Sequence, residues 1–330
     1  MVGRNIRGLT VERRIFISAS GSEAVPRAPQ AAILVAIVCV SFASIFIRWS
    51  TSPALTIALY RMAFATVLLS PLLATSKGAQ IRTFTPRDYG LLAAVGLALA
   101  THFATWILSL QLVDVATSVV IVTSHPILVA VVSKFAFHER IGRGTAIGIA
   151  LGFGGVVLIA FAQSGRGSNP LLGSALAFVG AIGAGAYLLA GRHLRPRMDL
   201  GPYAVNVYAF ASLFLVLFSV ISATPLVVTT DFPREMALFL LLAAVSQIGG
   251  HTLYNYALRH VSATTVSTTL LGEPVGASIL AFLLLGEIPG CGGSALCPSP
   301  TTYLVLLGSA LALAGIYLTA RAAFRSTART

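Results

Sequence analysis

The chain has 330 residues, of which 56% are hydrophobic and 10% are charged, against about 25% charged in an average soluble domain. That balance excludes a soluble globular protein. The formal net charge of +12 would point a soluble chain toward nucleic acid, but its distribution along this chain follows membrane topology instead.

Residues 1 to 30 are expected to be a disordered, basic cytoplasmic tail, since 1 to 28 are polar, rich in Arg, and lack the apolar region and cleavage site of a signal peptide. Apolar runs follow, each close to the roughly 20 residues that cross a ~30 Å hydrocarbon core. They cover residues 31 to 49, 54 to 74, 89 to 110, 114 to 136 and 144 to 163, then 171 to 191, 202 to 223, 236 to 257, 263 to 286 and 303 to 323. Residues 324 to 330 form a short C-terminal tail. The fold class expected is an all-α integral membrane protein with ten transmembrane helices and little chain left for a soluble domain.

The loops alternate in charge. One set holds Lys77, Arg82, Arg87, Lys134, Arg140, Arg143, Arg192, Arg195, Arg197 and Arg259 with the arginines of both termini; the opposite set holds Arg166 and Arg234. Basic loops resist translocation, so both termini are expected in the cytoplasm.

Along the runs, polar side chains stand out against the apolar background. Arg61, in "LYRMAFA", lies about seven residues inside the second run, where it either snorkels or attracts a substrate carboxylate or phosphate. The third run carries His102, Thr105 and Trp106, and the fourth carries His125 before Pro126. His125 is either a titrating partner or a hydrogen-bonded core histidine. In the eighth run Gln247, His251, Tyr254 and Asn255 fall along one helical stripe, the polar and aromatic lining that a small-molecule cavity needs; interhelical hydrogen bonding is the alternative.

Glu273, followed by Pro274, lies about ten residues into the ninth run, which at 1.5 Å per residue is ~15 Å deep. A carboxylate there costs roughly 2.5 to 3.5 kcal/mol on insertion scales, so it is expected to face a protein interior or a wet cavity. It carries a proton, binds a cationic group of a substrate, or joins helices through a hydrogen bond. Each proline strips a helical partner from a carbonyl, at Val122 and at Leu270, which either binds a ligand or marks a packing kink. Glu139 and Glu287 sit at run ends and are expected to be structural. Gly148, Gly152, Gly155, Gly308 and Gly315 are expected to be close-packing contacts.

Cys291 and Cys297 share the loop after the ninth run, where an oxidising exterior makes a disulfide plausible beside two free thiols. The cysteine spacing fits no common zinc motif, and neither a metal nor a cofactor is expected.

The two halves repeat. His125-Pro126 and Glu139 fall on Glu273-Pro274 and Glu287 at a constant offset of 148, giving repeats of 31 to 163 and 171 to 323. Five spans per half is an odd number, so the second half enters the membrane from the opposite side. Inverted repeats are a common plan of secondary transporters.

The doubled Pro-x12-Glu pattern followed by a glycine-rich helix, with "SFASIFIRW" in the first run and an arginine in the second, resembles the EamA family of the drug/metabolite transporter superfamily. The resemblance covers Ala31 to about Ala323. It implies a ten-helix inverted-repeat carrier in the plasma membrane, with helices five and ten peripheral to a central cavity. Glu273 before the proline, the enlarged ninth loop with its cysteines and the long basic N-terminus depart from the family pattern.

The function expected is export of small polar or amphiphilic metabolites, amino acids first, by alternating access, with Glu273 as proton site or ammonium ligand. Exchange of nucleotide sugars or phosphorylated metabolites, and a channel, are the alternatives. An intramembrane enzyme is not expected, because neither H-E-x-x-H nor G-x-S-x-G occurs. The partners expected are a small-molecule substrate and the bilayer, with no nucleic acid and with a homodimer left open.

Overall fold

The structure is a computed structural model and describes residues 27–137, 142–163, 168–228, 230–260, 263–270, 272–286 and 300–327. Helices dominate it. In chain order they are α1 (Arg27–Ser41), α2 (Ala43–Trp49), α3 (Ala54–Leu69), α4 (Pro86–Leu110), α5 (Val115–Val122), α6 (His125–Phe137) and α7 (Arg143–Gln163). Then come α8 (Pro170–Leu194), α9 (Leu200–Ile221), α10 (Phe232–Leu241), α11 (Leu253–Ala257), α12 (Ala263–Thr269), α13 (Gly272–Leu285) and α14 (Pro300–Thr327). A π-helical stretch, Leu242–Thr252, joins α10 to α11.

Eight spans among the described residues are long and apolar enough to cross a membrane, and two shorter apolar helices, Ala146–Ile159 and Gly272–Leu285, accompany them. Leu34, Val38, Val67, Leu213, Ile221 and Leu283 are exposed, as side chains facing lipid would be.

Local chemistry sets the helix starts. Thr85 and Asp88 close a reciprocal capping box at α4, with Pro86 in its first turn. Asp114 accepts from the Thr117 amide at 2.8 Å to start α5, and Asn169 accepts from the Leu172 amide at 3.3 Å to start α8.

Several of the expected runs are broken. The first divides at Phe42 into α1 and α2, the fourth at Thr123 and Ser124, and the ninth between Thr269 and Gly272. Proline explains the last two, because an interior proline lacks the amide that continues the ladder. The carbonyls freed by the prolines each have a partner, which favours the packing kink of the two alternatives. Leu270 accepts from the Glu273 amide at 3.0 Å, and Val122 accepts from the His125 ring at 3.1 Å.

Glycine sets the closest approaches. A methyl added to Gly155 would lie 2.5 Å from both the Ala312 nitrogen and the Gly308 oxygen, so α7 and α14 pack backbone to backbone, as expected of that glycine set. Gly183 of α8 likewise faces α4, where an added Cβ would lie 2.8 Å from the Ala98 oxygen and 3.0 Å from the His102 nitrogen. That contact holds His102 against α8.

Polar groups collect at the two ends of the bundle. At one end Glu235 accepts from the Thr51 amide at 2.8 Å, from Thr51 Oγ1 at 3.1 Å, from Ser52 Oγ at 2.8 Å and from Ser50 Oγ. Nearby, Arg234 donates to the Trp49 carbonyl (2.9 Å), Arg48 to that of Val113 (2.7 Å) and Thr56 to that of Pro225 (2.7 Å). At the other end Arg259 pairs with Asp199 at 2.8 Å. There Gln80 donates to the Arg197 carbonyl (3.0 Å) and accepts from the Asp199 amide (2.7 Å). The 25 residues of α4 separate these networks by about 37 Å.

Candidate functional site

A cavity opens where the two broken helices meet the middle of the bundle. Val122, Thr123 and His125 from the α5–α6 break and Leu270 and Glu273 from the α12–α13 break line it, with His102 and Trp106 of α4, Tyr187 of α8, and His251 and Tyr254. Its volume of about 30 Å³ holds a water or two. A cargo the size of an amino acid requires the walls to part.

His102 Nδ1 lies 2.8 Å from the Gly180 carbonyl oxygen. A carbonyl accepts and never donates, so Nδ1 carries the proton and Nε2 of the neutral ring is an acceptor. The same logic applies to His125, whose Nδ1 donates to Val122, leaving Nε2 as an acceptor. That nitrogen is buried and finds no partner among the described residues, as do Trp106 Nε1 and the Tyr254 hydroxyl. Buried polar atoms are nearly always paired, so donors and acceptors without protein partners on one cavity wall mark a place for a polar ligand.

Rings form much of that wall. Trp106 stacks on His102 with centroids 5.9 Å apart and planes 6° from parallel. Tyr187 and His251 lie 6.2 Å apart. Such rings attract a cation through their faces, and Glu273 adds a carboxylate beside them. Glu273 and His125 also stand in the first turns of α13 and α6.

The structure thus gathers Glu273, His125, His102, Trp106, His251 and Tyr254 at one cavity, and leaves Arg61, Gln247 and Asn255 behind its wall. For Gln247 the reason is the π-helical winding of Leu242–Thr252; Arg61 stands on α3 and Asn255 on α11, outside that stretch. Wider i→i+5 turns separate the stripe that a regular α-helix would keep together. Gln247 points instead to Arg61, accepting from Nε at 3.0 Å. Asn255 donates to the Tyr187 hydroxyl and, at 2.8 Å, to the His251 carbonyl, so it orients two lining residues. Arg61 is fully buried at 0% exposure, which rules out snorkelling. Thr105 bonds its own helix through the Thr101 carbonyl at 2.8 Å.

Tyr187, Thr123, Ala184 and Leu188 line the cavity without having stood out in the sequence. The signal for Tyr187 was its position as the sole polar aromatic in "GAIGAGAYLLAG", where small residues let α8 come close to α4. Glu139, Glu287, Cys291 and Cys297 lie outside the described residues. Among the described residues no three His, Cys, Asp or Glu side chains gather as a metal site.

A multi-pass helical membrane protein with a polar cavity at paired helix breaks is the class that these features define. The chain belongs to the EamA-like transporter family, whose model matches residues 29–161 and again residues 171–321. An uncharacterized transporter of Clostridium kluyveri is 26% identical over 234 residues, covering 67% of this chain and 72% of the relative. An uncharacterized transporter of Archaeoglobus fulgidus is 25% identical over 174 residues, 52% of this chain and 56% of its own. A probable 4-amino-4-deoxy-L-arabinose-phosphoundecaprenol flippase subunit, ArnE, of Pseudomonas paraeruginosa is 31% identical over 109 residues, 29% of this chain and 95% of the subunit. A solved protein crystal structure shares the fold with a TM-score of 0.59 at 16% identity, over 91% of this chain and 99% of that one.

Proposed function

We propose that the chain is a secondary carrier of the plasma membrane that exports small polar or amphiphilic metabolites, amino acids first, by alternating access about the central cavity. The observation that carries this is the convergence of both helix breaks, with His125 and Glu273, on one cavity lined by aromatics. Discontinuous helices whose halves meet at mid-membrane are where transporters of this kind bind cargo.

The carrier has ten spans in two inverted halves, 31 to 163 and 171 to 323, with both termini in the cytoplasm. Its end networks support this. Loops 48–53, 111–114 and 222–235 share one end, and loops 75–85, 195–199 and 258–260 share the other. The first helices of the two halves, α1 with α2 and then α8, accordingly run toward opposite ends. Glu273 is the group that takes up a proton or the ammonium of the cargo.

The test is uptake of labelled amino acids into proteoliposomes, with and without an imposed pH gradient, by the native chain and by Glu273→Gln. Saturable uptake with counterflow, accelerated by the gradient in the native chain alone, is the expected result. Linear uptake without counterflow points to a channel, and conversion of the label into a new product to an enzyme. The ArnE relative favours a second reading, flipping of an amino-sugar lipid phosphate, which the same vesicles test with a labelled lipid of that kind.

A further inference from the structure

Arg61 is buried behind the cavity wall in an unusual state. Its Nε donates to Gln247, but neither Nη1 nor Nη2 finds an acceptor among the described residues. A guanidinium is a fixed fork of N–H donors, and leaving two of its nitrogens buried without acceptors is costly. Its Cζ lies 4.0 Å from the ring centroid of Phe103. That ring in turn contacts His102 at 4.6 Å and His251 at 5.3 Å, both of which line the cavity. Phe103, backed by the His102 and His251 rings, therefore stands between the unpaired guanidinium nitrogens and the cargo space.

Arg61 brings a positive charge close to that space, and Glu273 lines it with a carboxylate, so the site suits a group that carries both signs. One guanidinium matches one carboxylate in a two-point pair, whereas a phosphate usually recruits several basic groups.

Resting on the carrier reading above, we propose that Arg61 is the anion-binding half of the central site. The cargo carries a carboxylate beside its amine. Phe103 turns aside, with the His102 and His251 rings parting in front of it, to admit that carboxylate to both Nη groups, while Glu273 and the remaining rings hold the ammonium. Gln247 is a positioning residue that fixes the guanidinium through Nε. The cargo class is then α-amino acids or equally compact zwitterions, and bare amines are poor substrates.

The experiment uses the full chain and three matched pairs that differ by one carboxylate: leucine with isoamylamine, phenylalanine with phenethylamine, and lysine with cadaverine. Binding is read as apparent Kd from thermal-shift titration for the native chain, Arg61→Gln and Phe103→Leu. We expect at least one amino acid to bind the native chain about 10- to 100-fold more tightly than its amine, the margin that charged hydrogen bonds supply. Arg61→Gln should erase that margin by weakening the amino acid and sparing the amine, and Phe103→Leu should widen it.

The proposal is overturned if the amines bind the native chain as tightly as the amino acids, a result that leaves the carrier reading standing. Equal weakening of both members of a pair by a folded Arg61→Gln overturns it too. Should Arg61→Gln not fold, an unchanged margin in Phe103→Leu does so. If none of the six compounds binds the native chain, the amino-acid class of the carrier reading falls together with this proposal.

Discussion

Individual side chains here earn their effect through unusual partners. Glu235, fully buried at 0% exposure, gathers the amide of Thr51 and the hydroxyls of Ser50, Thr51 and Ser52. Removing the carboxylate strands those donors, so Glu235→Ala should cost roughly 2 to 4 kcal/mol, visible as a lower melting temperature in detergent, and Glu235→Gln should cost less. Asn255 acts at one remove, through Tyr187 and the His251 carbonyl. Asn255→Ala should weaken substrate binding while KM for a substrate that avoids Tyr187 stays unchanged, and transport assays on a substrate panel check this. At this scale the sequence was legible where a polar residue interrupts apolar helix, as at His102, His125 and Glu273. It was faint on Tyr187, marked only as the sole polar aromatic of a small-residue helix, and silent on Phe103, whose importance comes from neighbours contributed by other helices.

Whole elements were readable in outline and not in their interruptions. The apolar runs located the spans, and the repeat placed Pro126 and Pro274 at equivalent depths. That proline would divide two of the runs into separate helices, with the freed carbonyls retaken by His125 and by the Glu273 amide, depended on local geometry that no residue pattern states. The π-helical stretch of Leu242–Thr252 left no mark in composition either, and it split a stripe that α-helical spacing had joined. Restoring an amide with Pro274→Ala should let α12 and α13 fuse and carry Glu273 off its position. Transport is expected to fall while the melting temperature does not. At the α7–α14 contact, Gly155→Ala puts a methyl 2.5 Å from backbone atoms of Ala312 and Gly308. A cost of about 1 to 3 kcal/mol follows from such overpacking, again read by thermal melting.

For the molecule as a whole, composition alone identified a membrane protein, because 56% hydrophobic residues leave no soluble alternative. The orientation proposed from loop charge can be checked directly. Cysteines introduced at Asp199 and at Asp231 should react with a membrane-impermeant thiol reagent from opposite sides of sealed vesicles. The two ends also differ in how they are fastened. One is held by a buried carboxylate in a cluster of hydroxyls, and the other by the Arg259–Asp199 pair, with side chains 43% and 24% exposed, beside buried Arg195, which donates to the Asn255 and Met198 carbonyls. Salt screens an exposed pair and barely touches a buried one. Raising ionic strength on the Arg259 side alone should therefore speed the opening of that end and leave the other unchanged, making the carrier a rectifier whose bias is set by the electrolyte on one face.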